Sequence, residues 1–144
     1  MNIMLDVIAN INHKRILSKV RDNDPFWYFA ATEWHRLYKK YVPFKTGVLR
    51  DTVVIEPKQI THTQPYAHYQ YTGEVYGPNY PIVQNGVHVG YFSTPNRKKH
   101  PTGKTLKYKN PLASKEWDKR AEATQKRKLI SSMQGYINSG RLKF

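Results

Sequence analysis

The sequence predicts one α+β domain: a long helix and a C-terminal helix packed on a small, mainly antiparallel sheet, with an extended basic loop. Three observations carry this expectation. Apolar residues recur at helical spacing from Phe26 to Tyr41. Short β-rich runs punctuated by Gly, Pro and Asn follow, and from Ser114 the chain reads as helical again. At 144 residues the chain suits a single domain, 1–144, large enough for a real core.

The elements follow in order. Ile3, Leu5, Val7, Ala9 and Ile11 alternate with residues such as Asp6 and Asn10, which predicts a strand with one buried face. Asn12 is placed to cap a short helix running to Val20. Asp24 followed by Pro25 then signals a helix start, with Asp24 as the cap. Phe26, Ala30, Trp34, Leu37 and Tyr41 share its apolar face, and Pro43 should end it near Val42. "VPFKTGVLRDT" reads as a loop with Gly47 at a turn. "TVVIEPKQITHTQ" reads as two short strands broken near Pro57 and Lys58, and Tyr66 and Tyr69 can share a helical turn that ends at Gly73. "VHVGYFST" is a further strand. Residues 95 to 110 carry Arg97, Lys98, Lys99, Lys104, Lys107 and Lys109 with no acidic residue, which predicts an exposed loop or hairpin. The last helix starts with Ser114 as its cap. Its apolar face shifts between Trp117 with Ala121 and Ile130, Met133 and Ile137, which predicts a kink or break near "QKRK".

Composition restricts function. Lys and Arg number 24 against 10 Asp and Glu, a formal charge of +14, so a polyanionic neighbour is expected: nucleic acid, an acidic protein face or a membrane surface. Tyr, with 11 copies, dominates the aromatics and suits surfaces that are part buried and part wet. Cysteine is absent, which excludes disulfides, thiol nucleophiles and Cys-based zinc sites. "MNIMLDVIAN" makes a poor signal peptide, and no apolar run approaches the roughly 20 residues of a membrane span, so a cytoplasmic site of synthesis and assembly is expected, with no membrane partner.

Catalytic patterns are weak. The six histidines are scattered without metal-ligand spacing, and no cofactor or metal site is expected. "GKT" at Gly103 to Thr105 lacks the glycine a phosphate loop needs five positions earlier, where Lys98 stands. No Ser lies in a Gly-x-Ser-x-Gly elbow. His62 or His68 with Lys58 could serve a metal-free ribonuclease, but no spacing fixes their geometry. The expectation is a protein that is not an enzyme.

Three motifs carry a resemblance. Tyr41, Val42, Pro43, Thr46, Gly47 and Leu49 come first; Pro65, Tyr66, Ala67, Tyr69, Gln70, Tyr71 and Gly73 second; and Pro111, Leu112, Ala113, Trp117, Lys119 and Arg120 third. In this order, over residues 25 to 122, they resemble the bacteriophage minor capsid or head–tail joining proteins, the neck or tail-completion family of siphophages infecting Gram-positive hosts. Asn110 stands where that family often has His, and the stretch between Gly77 and Asn110 matches less well. The resemblance implies a structural virion protein that forms a ring of its own copies at the head–tail junction, around the channel through which DNA leaves. It also implies neighbouring neck or tail proteins as partners, and a core anchor of Trp34, Leu37 and Trp117. Tyr66, Tyr69, Tyr71, Tyr76 and Tyr80 are the candidate interface. Arg97, Lys98, Lys99, Lys104, Lys107 and Lys109 would meet packaged DNA or an acidic face on the adjoining ring. The alternative class is a small basic nucleic-acid-binding protein, its basic loop and tyrosines binding phosphates and bases.

Overall fold

The computed structural model describes residues 20–44 and 46–142; the strand expected at residues 3–11 and nearly all of the helix from Asn12 lie outside them. In chain order the elements are α1 (Asp24–Tyr38), a 3-10 turn (Lys39–Tyr41), α2 (Val48–Asp51), β1 (Val53–Glu56), β2 (Gln59–His62), α3 (Ala67–Thr72), β3 (Glu74–Gly77), β4 (Tyr80–Gln84), β5 (Val87–Phe92), β6 (His100–Thr105) and α4 (Trp117–Asn138). The fold is α+β.

The start of α1 differs from the expectation by one residue. Asn23 is the cap, its Oδ1 accepting from the Phe26 amide at 2.9 Å, and Asp24 sits in the first turn near the positive end of the helix dipole. The helix ends at Tyr38 and tightens into the 3-10 turn before Val42 and Pro43. Its buried face comprises Phe26, Trp27, Ala30, Ala31, Trp34, Leu37 and Tyr38. That face packs on α4 and on the β1–β2 hairpin.

The final helix is continuous over 22 residues, without the expected break, and it begins at Trp117 rather than Ser114. Its buried residues are Trp117, Ala121, Gln125, Leu129, Met133 and Ile137, each four positions after the last. At about 100° per residue, steps of four advance the stripe by roughly 40° each, so it winds around the helix instead of switching sides. The continuity is hidden in the sequence because Gln125 fills the central place. That residue is only 6% exposed, and its Nε2 donates to the Tyr41 hydroxyl at 3.3 Å.

The start is displaced because residues 106–116 form a strap pinned by backbone hydrogen bonds. The Leu106, Ser114 and Glu116 amides donate to the carbonyls of Gly73, Tyr41 and Tyr71 at 2.8, 3.1 and 2.8 Å. Ser114 is thus held against the 3-10 turn, and Glu116, in the left-handed region (φ 48°), precedes the first helical turn.

The strands form three two-stranded antiparallel ladders, β1–β2, β3–β6 and β4–β5. Prolines at 57, 78, 81 and 101 remove ladder donors at or beside the strand ends, which disfavours lateral growth into one sheet. The β1–β2 hairpin turns at Pro57 and Lys58, as its sequence predicts, with Ile60 packed against the core. The other two ladders are consecutive parts of one arm, residues 74–105. β3 and β6 form its base (Glu74↔Thr105, Gly77↔His100) and β4 and β5 its tip (Tyr80↔Phe92, Gln84↔Val87). Asn85 and Gly86, both at positive φ, make the tip turn. The basic stretch is therefore partly strand: Lys104 lies on β6, while Arg97, Lys98 and Lys99 lie between β5 and β6.

Candidate assembly surface

The motif residues converge on one node where α4 meets the rest of the protein. The Trp117 ring is 4% exposed and sits edge-to-face on Tyr71 (centroids 5.0 Å apart, planes at 88°) and on His62 (5.3 Å). Trp34 and Leu37 belong to the same core cluster, but Trp34 stacks edge-on with Tyr38, at 5.8 Å, so the ring partners of Trp117 are Tyr71 and His62. The hydroxyl of Tyr71 donates to Asp118 Oδ1 at 2.8 Å, and burial first, then this bond, push its pKa up to about 12. Gly73 follows with φ +69°. A Cβ there would lie 2.8 Å from Lys115 Cβ, so α3 must end in glycine for the strap to cross it.

His62 is fully engaged. Its Nδ1 lies 3.0 Å from the Leu49 carbonyl, which can only accept, so Nδ1 carries the proton and Nε2 accepts from the Tyr38 hydroxyl at 2.9 Å. Burial, the largest cause, lowers the His62 pKa, and burial likewise raises that of Tyr38, which keeps Tyr38 a donor. A cavity of about 610 Å³ opens beside the node between α1, β2, α3 and α4. Among its polar lining groups, His62 is bonded to Tyr38 and Tyr71 to Asp118, while Lys58, Gln59 and His68 also border it. Among the described residues no cluster of His, Asp and Glu has the arrangement of a metal site, and no helix is long and apolar enough to cross a membrane.

The five candidate interface tyrosines divide. Tyr71 is half-buried at the core node, its ring against Trp117 and its hydroxyl bonded to Asp118. Tyr66, Tyr69 and Tyr80 are exposed, at 42%, 40% and 42%. Tyr76 is half-buried and packs edge-on against Tyr69 at 4.7 Å. The Tyr80 hydroxyl accepts from Arg97 at 2.6 Å.

The residues that composition did not single out are those of the arm tip. Ile82, Val83, Val87, Val89, Tyr91 and Phe92 are 38–69% exposed, and every residue of β4 faces solvent. An isolated two-stranded hairpin is marginal in water, and a contiguous apolar patch of this kind marks an interaction site. The available signal was "IVQNGVHV": Asn-Gly between two apolar runs, the strongest short-range hairpin pattern.

The basic residues also divide. Arg97 and Lys99 brace the arm, the latter donating to Asn79 Oδ1 at 2.8 Å. The side chains of Lys98, Lys104, Lys107 and Lys109 make no hydrogen bond or ion pair among the described residues. Among the described residues, the pairs Arg36–Glu33, Arg50–Asp51 and Lys119–Glu116 join near neighbours in sequence and are at least partly open to solvent, so each contributes little.

No curated protein and no solved structure matches the chain significantly. A family model described as minor capsid protein does match, over residues 29–135. That span begins within α1, contains the whole node and the arm, and ends within α4. Matched over most of its length, the chain belongs to the bacteriophage minor capsid protein family and is a structural virion protein.

Proposed function

We propose that the chain works at the phage neck, where its copies form a ring that completes the head-to-tail or tail-end junction around the DNA channel. The observation that carries this reading is the arm tip, an apolar surface that the subunit leaves uncovered while its core side chains are buried. Such a surface suits a component whose task is mechanical: holding neighbours in register. The unpaired lysines 98, 104, 107 and 109 give the subunit a second contact, with an acidic face of the adjoining ring. A protein face is favoured over DNA because the channel must let its cargo slide, and each phosphate contact adds affinity through counterion release.

The test is a phage in which this gene carries a nonsense codon. Filled heads and separate, complete tails should accumulate in the restrictive host, and supplying the full chain in trans should join them. Normal joining without the chain refutes the neck assignment, as does a defect confined to head assembly or DNA packaging.

A further inference from the structure

Residues from two separate stretches of the sequence meet at one groove. Tyr66, from the tyrosine-rich segment, lines the same cleft of about 290 Å³ as Lys107 and Lys109, from the basic stretch. Phe44 and Val48, on either side of the left-handed turn at Gly47 (φ 86°), add apolar side chains to it. Phe44, Val48 and Tyr66 are 44%, 40% and 42% exposed, and both lysines are exposed as well, so this lining is open surface and not core. Tyr108 stands between the two lysines, and its hydroxyl donates to the Gln70 carbonyl at 2.6 Å. That bond ties the strap to α3 and holds the lysine-bearing wall in place.

We propose that this groove docks an acidic segment of a neighbouring virion protein, one that carries an aromatic or aliphatic side chain beside its carboxylates. Charge complementarity selects that occupant. No carboxylate lines the groove, and the side chains of Lys107 and Lys109 have no partner among the described residues. Asp51 lies close behind Gly47, where a Cβ would come within 3.0 Å of its Oδ2, but it is already paired with Arg50 at 3.2 Å. Exposed ion pairs alone contribute little, so the apolar lining matters: it buries the anchor while the lysines take the charges. A second copy is a poor occupant, since each chain carries +14. Nucleic acid fits less well too. Binding a strand by stacking needs several open rings, and the Phe44 ring already carries the Arg50 guanidinium at 4.5 Å. The inference rests on the acidic neighbouring face proposed above and names where this chain meets it.

The test is photo-crosslinking in assembled particles. Full-length chains carry benzoylphenylalanine in place of Val48, or in place of Ser131 on the exposed side of α4 as control. They are supplied in trans to the nonsense phage, and the adducts are identified by mass spectrometry. The expected result is a Val48 adduct with one peptide of a neighbouring virion protein, bearing Asp or Glu next to an aromatic or aliphatic residue. Its yield per chain supplied should fall by about tenfold or more in K107Q/K109Q and in Y66A. It should hold in K98Q/K104Q, which removes the same charge from the arm, and the melting temperatures of the free variants should match the parent. An adduct peptide without carboxylates, or an equal fall with either lysine pair, overturns the groove and leaves the ring standing. An adduct with DNA overturns it by making nucleic acid the occupant, and so does a yield no higher than at Ser131. An acidic adduct peptide from the capsid shell upholds the groove and overturns the neck assignment.

Discussion

Replacing Trp117 with alanine removes the ring that ties α4 to β2 and α3. The side chain is 4% exposed, so essentially its whole surface returns to water on unfolding. A buried ring of about 150–250 Å² is worth roughly 4–6 kcal/mol at about 25 cal/mol per Å². An extended-chain reference overstates burial by about 10–40%, which brings the loss to about 3–5 kcal/mol, the range found for Trp→Ala in cores. The edge-to-face contacts to Tyr71 and His62 disappear with it, leaving both rings without their shared neighbour. For a chain of this size each kcal/mol moves the midpoint by about 3–5 °C, so a fall of roughly 10–20 °C is expected. Thermal unfolding of the full-length variant followed by circular dichroism measures it, with a urea titration as a second reading. A midpoint within about 2 °C of the parent refutes the argument, because it means the ring contributes no core burial, and Trp117 would then belong to a contact between subunits.

Four further outcomes follow from the same geometry. His62 is held neutral, its pKa lowered by burial, so the unfolded chain binds the extra proton first; stability should be full above about pH 6.5 and fall as the pH drops below it, and His62→Gln should flatten that limb in a pH series of melting curves. Tyr71 keeps its proton up to about pH 12 in the fold, so its contribution is complete below about pH 10 and lost as the pH rises from there towards 12; Tyr71→Phe should cost about 1–3 kcal/mol at neutral pH and weaken that alkaline limb. Alanine at Tyr76 and Tyr80 should leave the subunit folded and block head–tail joining in an assembly assay, and normal joining by both removes these rings from the interface. Random duplex DNA should bind weakly near physiological salt, with no change when Lys98, Lys99, Lys104 and Lys107 become Ala; submicromolar binding with a steep salt slope that flattens in that variant gives the basic stretch to DNA.

How legible the fold was depends on where each segment buries its side chains. The helix over Asp24–Tyr38 was readable because its apolar residues recur on one face and Asn23, Asp24 and Pro25 mark its start. The β1–β2 hairpin and the helical turn ending at Gly73 were readable for the same local reason, punctuation by Pro57 and by a glycine in the left-handed region. The continuity of α4 was not, because a polar Gln125 carries the centre of its buried stripe and Trp117 and Ile137 lie on different sides of the helix. Its true start was hidden too, since the bonds that fix the strap join residues more than thirty positions apart, such as Leu106 to Gly73. The motifs that carry the family resemblance are partly core and partly surface: Tyr41, Leu49 and Trp117 lie in the buried cluster with Tyr71 packed against it, whereas Tyr66, Tyr69 and Leu112 are exposed. The exposed tip, where a partner would be met, carries no charge and few polar groups, and a sequence read for buried faces assigns such residues to a core.

Cryo-electron microscopy of the parent virion tests the central claim most directly. A closed ring of this chain is expected at the head–tail junction, coaxial with the DNA channel, with the helical node inside each subunit and the arms at the contacts with neighbouring chains. A virion whose neck and tail ends are fully traced by other chains, with this one at the capsid shell or absent, contradicts it.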